Sequence, residues 1–410
     1  MNDTLNRLRR MRELQSHHAP PVFPFRQAGT PQVIEDLARG TVHTNELGLS
    51  YSIPTAHDSD HRHGGRLLTD WLAQDLAGAA SFTGDDRLAD ADPRRCLFLD
   101  TETTGLASSA GTLVFLVGVG YFTADGFEVR QFFLRDPAEE PAMLRALHSL
   151  MCEHDAVVTF NGRSFDMPLL AQRFILNRQR VSVDKWANLD LLFPARRLWK
   201  RRLDSCRLAN LELQVLNVER TADDVPGMLI PQMYQDYVHT RDARDIMRVV
   251  YHNLIDVLSM VTLGAQICET FSNPTSKKLH SDDWLSLARW YEKLCRPVEA
   301  ESAYSAALNT ARLDSEMVMV FTDFANFYKK QGRPEAAAEH WESWAALQPK
   351  AVEPRLELAK YYEWTVRNLR KAAEWTDAAL AVARSWGASG YRETTITELT
   401  HRLDRLTRKL

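Results

Sequence analysis

The stretch Leu97-Phe-Leu-Asp-Thr-Glu-Thr-Thr-Gly-Leu106 decides how the chain is read. Cys96–Leu99 is a short apolar strand, and along a strand residues i and i+2 point to the same face. Asp100 and Glu102 therefore project together from the end of that strand. Two like charges held so close repel and lose hydration. A divalent metal between them removes both penalties. An isolated Asp-x-Glu is most often a solvated turn after a strand. The Thr-Thr-Gly-Leu that follows makes this one less ordinary, because small residues and a glycine let a ligand approach the backbone.

Two further segments carry acids in telling places. In Val157-Val-Thr-Phe-Asn-Gly-Arg-Ser-Phe-Asp166 a buried strand ends at Asn161-Gly162 and a helix opens near Ser164. Asp166 then lies in the first helical turn, where an acid also simply suits the helix dipole. In Val249-Val-Tyr-His-Asn-Leu-Ile-Asp256, His252 and Asp256 share one helical face. The neighbours are nearly all apolar, so Asp256 needs a partner: a metal, an arginine or His252 itself.

Together the three segments resemble the DEDD superfamily of exonucleases, whose fold is ribonuclease H-like. The matching residues are Asp100/Glu102, Asn161/Phe165/Asp166 and His252/Asp256, within roughly residues 94–270. The chain is most similar to the YprB-like group, which joins such a domain to C-terminal helical repeats and includes the bacterial mitomycin repair exonuclease. That similarity extends to Asp190-Leu-Leu, Pro194-Ala-Arg-Arg-Leu-Trp199 and Asp224-Val-Pro-Gly227.

The resemblance implies metal-dependent 3′→5′ hydrolysis of phosphodiester bonds, with DNA repair as the setting. Asp100, Glu102, Asp166 and Asp256 would hold two Mg²⁺ or Mn²⁺ ions. Thr103, Thr104 and Leu106 would lie against the terminal nucleotide, with Asn161 and Phe165 beside them. Histidine-type members place their histidine five residues before the last Asp, and tyrosine-type members place a tyrosine four before it. Here His252 stands at four and Tyr251 at five. His252 is favoured as general base because its ordinary pKa lies near neutrality, and Tyr251 stays open.

The net charge of −4 offers nucleic acid no global attraction, so phosphate contacts must come from local patches or bound ions. The run from Arg196 to Arg207 holds six basic residues and one acid. Arg196, Arg197, Arg201 and Arg202 are candidate phosphate contacts, and Trp199 could stack on a base. The ordinary reading is a solvated helix face with Leu198 and Leu203 turned inward. The run His57-Asp-Ser-Asp-His-Arg-His63 has ligand-type residues without ligand spacing and reads as a solvated loop.

Three regions follow: 1–93, irregular apart from short strands near Thr41–Ile53 and a short helix from Leu67 to Ala77; 94–270, the nuclease-like α/β domain, a mixed sheet flanked by helices; and 281–410, all-α. The last holds seven of the ten Trp and three of the 18 Gly. Tyr291–Ala300 matches Tyr328–Ala337, 37 residues on, with a weaker third copy from Tyr361 to Ala373. The pattern resembles tetratricopeptide (TPR-like) repeats. Its charges balance, 19 basic against 19 acidic, which favours a protein partner over nucleic acid; the resemblance suggests a helicase.

All the site residues precede residue 257, so the site is expected to be independent of the repeats. Five scattered cysteines without a C-x-x-C pair and an N-terminus lacking an apolar core suggest the cytoplasm. Val249–Cys268 is apolar enough for a membrane span, but His252 and Asp256 inside it argue for a buried soluble helix. The rival class is a non-catalytic nucleic-acid-binding scaffold whose repeats do the work, and nothing in the residues separates DNA from RNA, so an RNA-processing exoribonuclease stays in view.

Overall fold

The computed structural model describes residues 30–105, 111–276, 278–387 and 389–410. Leu106 and the prolines at 20, 21 and 24 lie outside these residues. Seven strands form one mixed sheet: β1 (Thr41–Asn45), β2 (Gly48–Asp58), β3 (Cys96–Thr103), β4 (Val114–Phe122), β5 (Gly126–Phe133), β6 (Ala156–Thr159) and β7 (Ala187–Asp190). Their order is β1-β2-β5-β4-β3-β6-β7. Pairing is antiparallel from β1 through β3 and parallel from β3 to β7.

Three expectations need correcting here. Strand β3 does not stop at Leu99 but runs through Thr103, so both acids sit on the strand itself. Residues 41–58 do not belong to an irregular segment: β2 pairs with β5 over eight residues, Tyr51↔Phe133 to Asp58↔Gly126. Its alternating residues marked it as a strand, but its partner lies some 70 residues on and no local pattern names it. The helix expected from Leu67 is a 3₁₀ turn, Leu68–Ala73, followed by a short α-helix at Ala77–Thr83.

Helices cover both faces. Helix α1 (Glu140–Met151) and helix α2 (Asp166–Leu176) pack their apolar stripes with Leu97, Leu99 and Val157 on one side. On the other side lie helix α3 (Leu192–Trp199) and the long helix that follows α4 (Ile230–Thr240), namely α5 (Arg244–Ser272). Helix α5 is the candidate membrane span. Within this fold Val257, Met260 and Val261 bury against Cys96 and Phe98 of the sheet, which is the buried core helix its charged residues argued for.

Among the described residues seven α-helices follow: α6 (Ser281–Lys293), α7 (Pro297–Thr310), α8 (Asp314–Lys330), α9 (Pro334–Leu347), α10 (Glu353–Trp364), α11 (Leu369–Arg384) and α12 (Gly390–Thr407). Ala303, Tyr304 and Ala307 of α7 and Ala338, Trp341 and Ala345 of α9 are buried. Small residues beside large ones let consecutive helices interlock.

The expected independence of site and repeats meets a physical obstacle. One apolar cluster runs from Phe98 through Leu198, Trp199 and Val261 into Trp284, Trp290 and Tyr304. The ring of Trp290 lies 4.9 Å from those of both Phe82 and Phe271. Ion pairs rivet the same junction: Arg201 Nε to Asp282 Oδ1 at 3.3 Å and Arg202 Nε to Asp283 Oδ1 at 3.0 Å. The first helix of the C-terminal region is thus part of the core under the sheet.

Candidate active site

Along β3, Cys96 and Phe98 point into the core beneath α5, and period two carries Asp100 and Glu102 onto that same face. What brings α5 close enough to meet them is glycine in the neighbouring strand. Gly118 of β4 lies directly across from Asp100. A Cβ there would stand 2.1 Å from Asn253 Oδ1, and a Cβ on Gly120 would stand 2.6 Å from Val257 Cγ1. With both side chains absent the helix settles onto the sheet, and Asn253 Nδ2 donates to Asp100 Oδ2 at 2.8 Å. Asp256 and His252 on the same helix then face the two strand acids.

Asp166 reaches the group from a different direction. β6 runs parallel to β3, so the turn after it opens at the same sheet end. That turn is tight: Asn161 has φ 67°, a left-handed conformation that asparagine tolerates. A Cβ on Gly162 would lie 2.5 Å from Thr159 Cβ. The buried carboxylate of Asp190, at the end of β7, fixes the turn by accepting from Asn161 N at 2.8 Å, Arg163 N at 3.1 Å and Leu192 N at 3.0 Å. Helix α2 begins at Asp166, whose carboxylate accepts from the Thr101 hydroxyl on β3.

The four acids are crowded and short of counter-charge. Burial, reinforced by Asp256 and Asp166, raises the carboxyl of Asp100 well above its usual range; burial, reinforced by Asp100, does the same to Glu102. Burial pushes Asp166 up to about 6 and raises Asp256 despite His252 and Arg220. Ligand atoms of Glu102, His252 and Asp256 lie within 4.8 Å of one another. Hard carboxylate oxygens at such spacing suit Mg²⁺ or Mn²⁺. Positive charge at their centre would reverse each upward shift, so the residues present fit a divalent cation.

One of the chain's own cations does enter. Arg220 is held by Glu212 through Nε at 2.6 Å and Nη2 at 2.7 Å, and also donates to Asp256 Oδ1. Asp224 accepts from His252 Nδ1 at 2.7 Å. This leaves His252 Nε2 facing the acids, 3.6 Å from Asp256 Oδ2 and 4.0 Å from Glu102 Oε1. The hydroxyl of Tyr251 points elsewhere and accepts from Thr221 N at 3.3 Å. Arg220, Asn253 and Thr101 were not singled out from sequence. Asp190 and Asp224 stood only within quoted resemblances, without roles.

The candidate substrate residues divide. Thr103 and Thr104 shape the turn after β3, through Thr103 Oγ1 to Gly105 O at 2.7 Å and Leu113 N to Thr104 Oγ1 at 2.9 Å. Phe165 is half exposed at the start of α2. Asn161 lines a cleft of about 770 Å³ with Asp100 and Asp256, and Arg196, Lys200 and Arg207 line the same cleft. Arg196 and Lys200 are four apart and share one face of α3's last turn and its extension. Arg197 and Arg201 share another, which turns away: the Arg197 guanidinium lies 5.6 Å from the Trp290 ring, and Arg201 and Arg202 are tied to Asp282 and Asp283. Trp199 is only 2% exposed, packed in the core, and cannot stack on a base. The base stacking expected of Trp199 is therefore corrected, and Arg197, Arg201 and Arg202, expected as phosphate contacts, are engaged with the helical region instead. Lys200 and Arg207 line the cleft with Arg196.

A sequence profile of the RNase H superfamily matches residues 97–268, a span that holds Asp100, Glu102, Asp166, His252 and Asp256. The uncharacterized protein YprB of Bacillus subtilis (strain 168) is 30% identical over 336 residues, covering 79% of this chain and 78% of its own. PcrH from Pseudomonas aeruginosa overlays on 33% of this chain and 94% of its own at 15% identity, with a TM-score of 0.26. The family B DNA polymerase of the archaeon Pyrobaculum calidifontis overlays on 52% of this chain and 29% of its own at 16% identity, with a TM-score of 0.33. At those scores neither overlay bears on the site.

Proposed function

Because the chain belongs to the family of YprB within the RNase H superfamily, we propose that it is a divalent-metal-dependent 3′→5′ exonuclease of the DEDD type. Its substrate in this reading is a nucleic-acid strand end, with DNA under repair as the setting. The observation that carries the reading is the convergence of Asp100, Glu102, Asp166 and Asp256, from one strand and two helices, with too little positive charge among their neighbours.

Those four acids would hold two Mg²⁺ or Mn²⁺ ions. Such ions supply positive charge for the attacking water and the leaving 3′ oxygen. The chain's own groups do the rest. His252, oriented by Asp224 through Nδ1, offers Nε2 on the side of the acids and accepts the proton of the attacking water. Asn253 holds one oxygen of Asp100. Thr101 and Asp190 hold Asp166, the first by hydrogen bond and the second through the turn. Arg196, Lys200 and Arg207 receive the phosphates.

The test is a pair of single strands, labelled at the 5′ or at the 3′ end, incubated with Mg²⁺, Mn²⁺ or EDTA. The 5′-labelled strand should give a descending ladder and the 3′-labelled strand should release mononucleotide at once, both only with metal. Full activity in EDTA, or a ladder from the 3′-labelled strand, overturns the reading.

A further inference from the structure

The cleft at Asp100 and Asp256 has a neighbour on the side of the helical region. Leu203 lines the first cleft, and Leu203 also lines the second, larger cleft of about 1260 Å³ between the loop after α3 and helices α6 and α7. The second cleft has its own polar walls: Gln214 and Arg202 on the sheet side, Lys278 and His280 ahead of α6, Asn309 in the last turn of α7 and Arg312 after it. Its acids are already committed. Asp282 is paired with Arg201, and Glu316 caps α8 by accepting from Arg312 N at 2.8 Å and Leu313 N at 3.3 Å. Lys278 and Arg312 are exposed, and neither side chain makes an ion pair among the described residues. Lys278 and Arg312 thus set two positive charges on this face of the junction against the single carboxylate of Glu316, whose partners are neutral amides.

We propose that this junction groove is a second binding surface for the substrate strand, carrying the phosphates that lie upstream of the end being cut. The strand would pass from Arg196, Lys200 and Arg207 over Leu203 to Lys278 and Arg312. The argument is charge and continuity: unpaired cations lie on both sides of a shared apolar sill, and such grooves track a phosphate backbone without reading sequence. The inference rests on the exonuclease reading for the direction of the strand, while its groove is defined independently of the acids. It gives the C-terminal helices a part in holding substrate beyond their part in the core.

The experiment compares wild type, the double variant Lys278→Glu/Arg312→Glu and the milder Lys278→Gln/Arg312→Gln, all as full chains. Binding is read by fluorescence anisotropy in Ca²⁺ over a range of salt, with single strands of about 4 and about 16 nucleotides. For the long strand the Glu variant should bind about tenfold more weakly, and the slope of log Kd against log salt should fall by about 1.4, two contacts at about 0.7 each. The Gln variant should show the same direction with a smaller loss. The short strand should be bound as by wild type. Unchanged affinity and slope on the long strand, or equal loss on both lengths, overturns the groove. Length-dependent loss in the variants, together with a wild type that cuts nothing, would keep the groove and overturn the exonuclease.

Discussion

Two sets of buried acids lie on either side of one basic segment, and they are treated in opposite ways. At the junction with the helical region, Asp283 is almost fully buried yet has its own arginine, Arg202, at 3.0 and 3.2 Å. At the sheet end, Asp100 has an amide, Asp166 a hydroxyl, and Asp256 one arm of Arg220. A buried carboxylate is costly unless its charge is met. Where the chain meets it, the acid is architecture. Where the chain leaves it unmet, an outside cation would complete the site. The segment Arg196–Arg207 serves both: Arg201 and Arg202 go to the paired acids, and Arg196 and Lys200 go to the cleft beside the unpaired ones.

The contrast breaks most visibly in activity. Asp100→Asn should lower the rate of strand shortening by roughly 10³-fold or more, whereas Asp282→Asn should leave it within about twofold. A single-turnover assay with Mn²⁺ reads both. Equal losses would erase the distinction between unmet and met acids.

The base comes next. His252→Ala should reduce kcat by about 10²–10⁴-fold with KM little changed. Tyr251→Phe should cost less than about tenfold, since its hydroxyl serves the loop at Thr221. The reverse ranking would move the base to Tyr251.

At the junction the measurable quantity is stability. Arg202→Met leaves Asp283 buried without its partner and should cost roughly 2–4 kcal/mol in urea unfolding. Adding Asp283→Leu should restore most of it. Deleting residues 281–410 should give an aggregating protein, because Trp284 and Trp290 leave the shared core. A soluble, fully folded truncation would show the two regions to be separable after all.

A smaller effect separates the two faces of the basic segment. Arg196→Glu/Lys200→Glu should raise KM several-fold and lower the salt slope by about 1.4. Arg201→Glu should leave that slope alone while lowering the melting temperature.

The smallest effect is on pH. Asp166 is raised to about 6 by burial. Its folded form therefore favours the proton, so its contribution to stability is full below the ordinary value of about 4 and is lost as pH rises through about 6. In EDTA the melting temperature should fall by a few degrees between pH 4 and pH 7, and Mn²⁺ at pH 7 should recover it. A flat profile in EDTA would mean that the acids are compensated from within.

Much of this was legible in the residues, for definite reasons. Period two placed Asp100 and Glu102 on one face, and period 3.6 placed His252 with Asp256, because each rule acts within a single element. What needed pairing between distant elements was not legible. Gly118 and Gly120 look like any small strand residues until the register sets Gly118 across from Asp100 and under Asn253. Arg220 carries no signal of its own beside Glu212 until the chain folds back. The basic run misled because six cations in twelve residues show charge without direction. Trp199 looked like a stacking residue there, yet it belongs with Leu198 and Ala195 on the buried stripe.

The central claim is that the acids at the sheet end have too few cations for their charge, with Arg220 alone among them, and those at the junction have their own. Titration of Mn²⁺ into the metal-free full chain, followed by calorimetry at pH 7, tests it most directly. Wild type and Asp282→Asn should bind alike, and Asp100→Asn should lose at least tenfold in affinity or a whole equivalent of bound ion. Indistinguishable isotherms for wild type and Asp100→Asn would contradict the account.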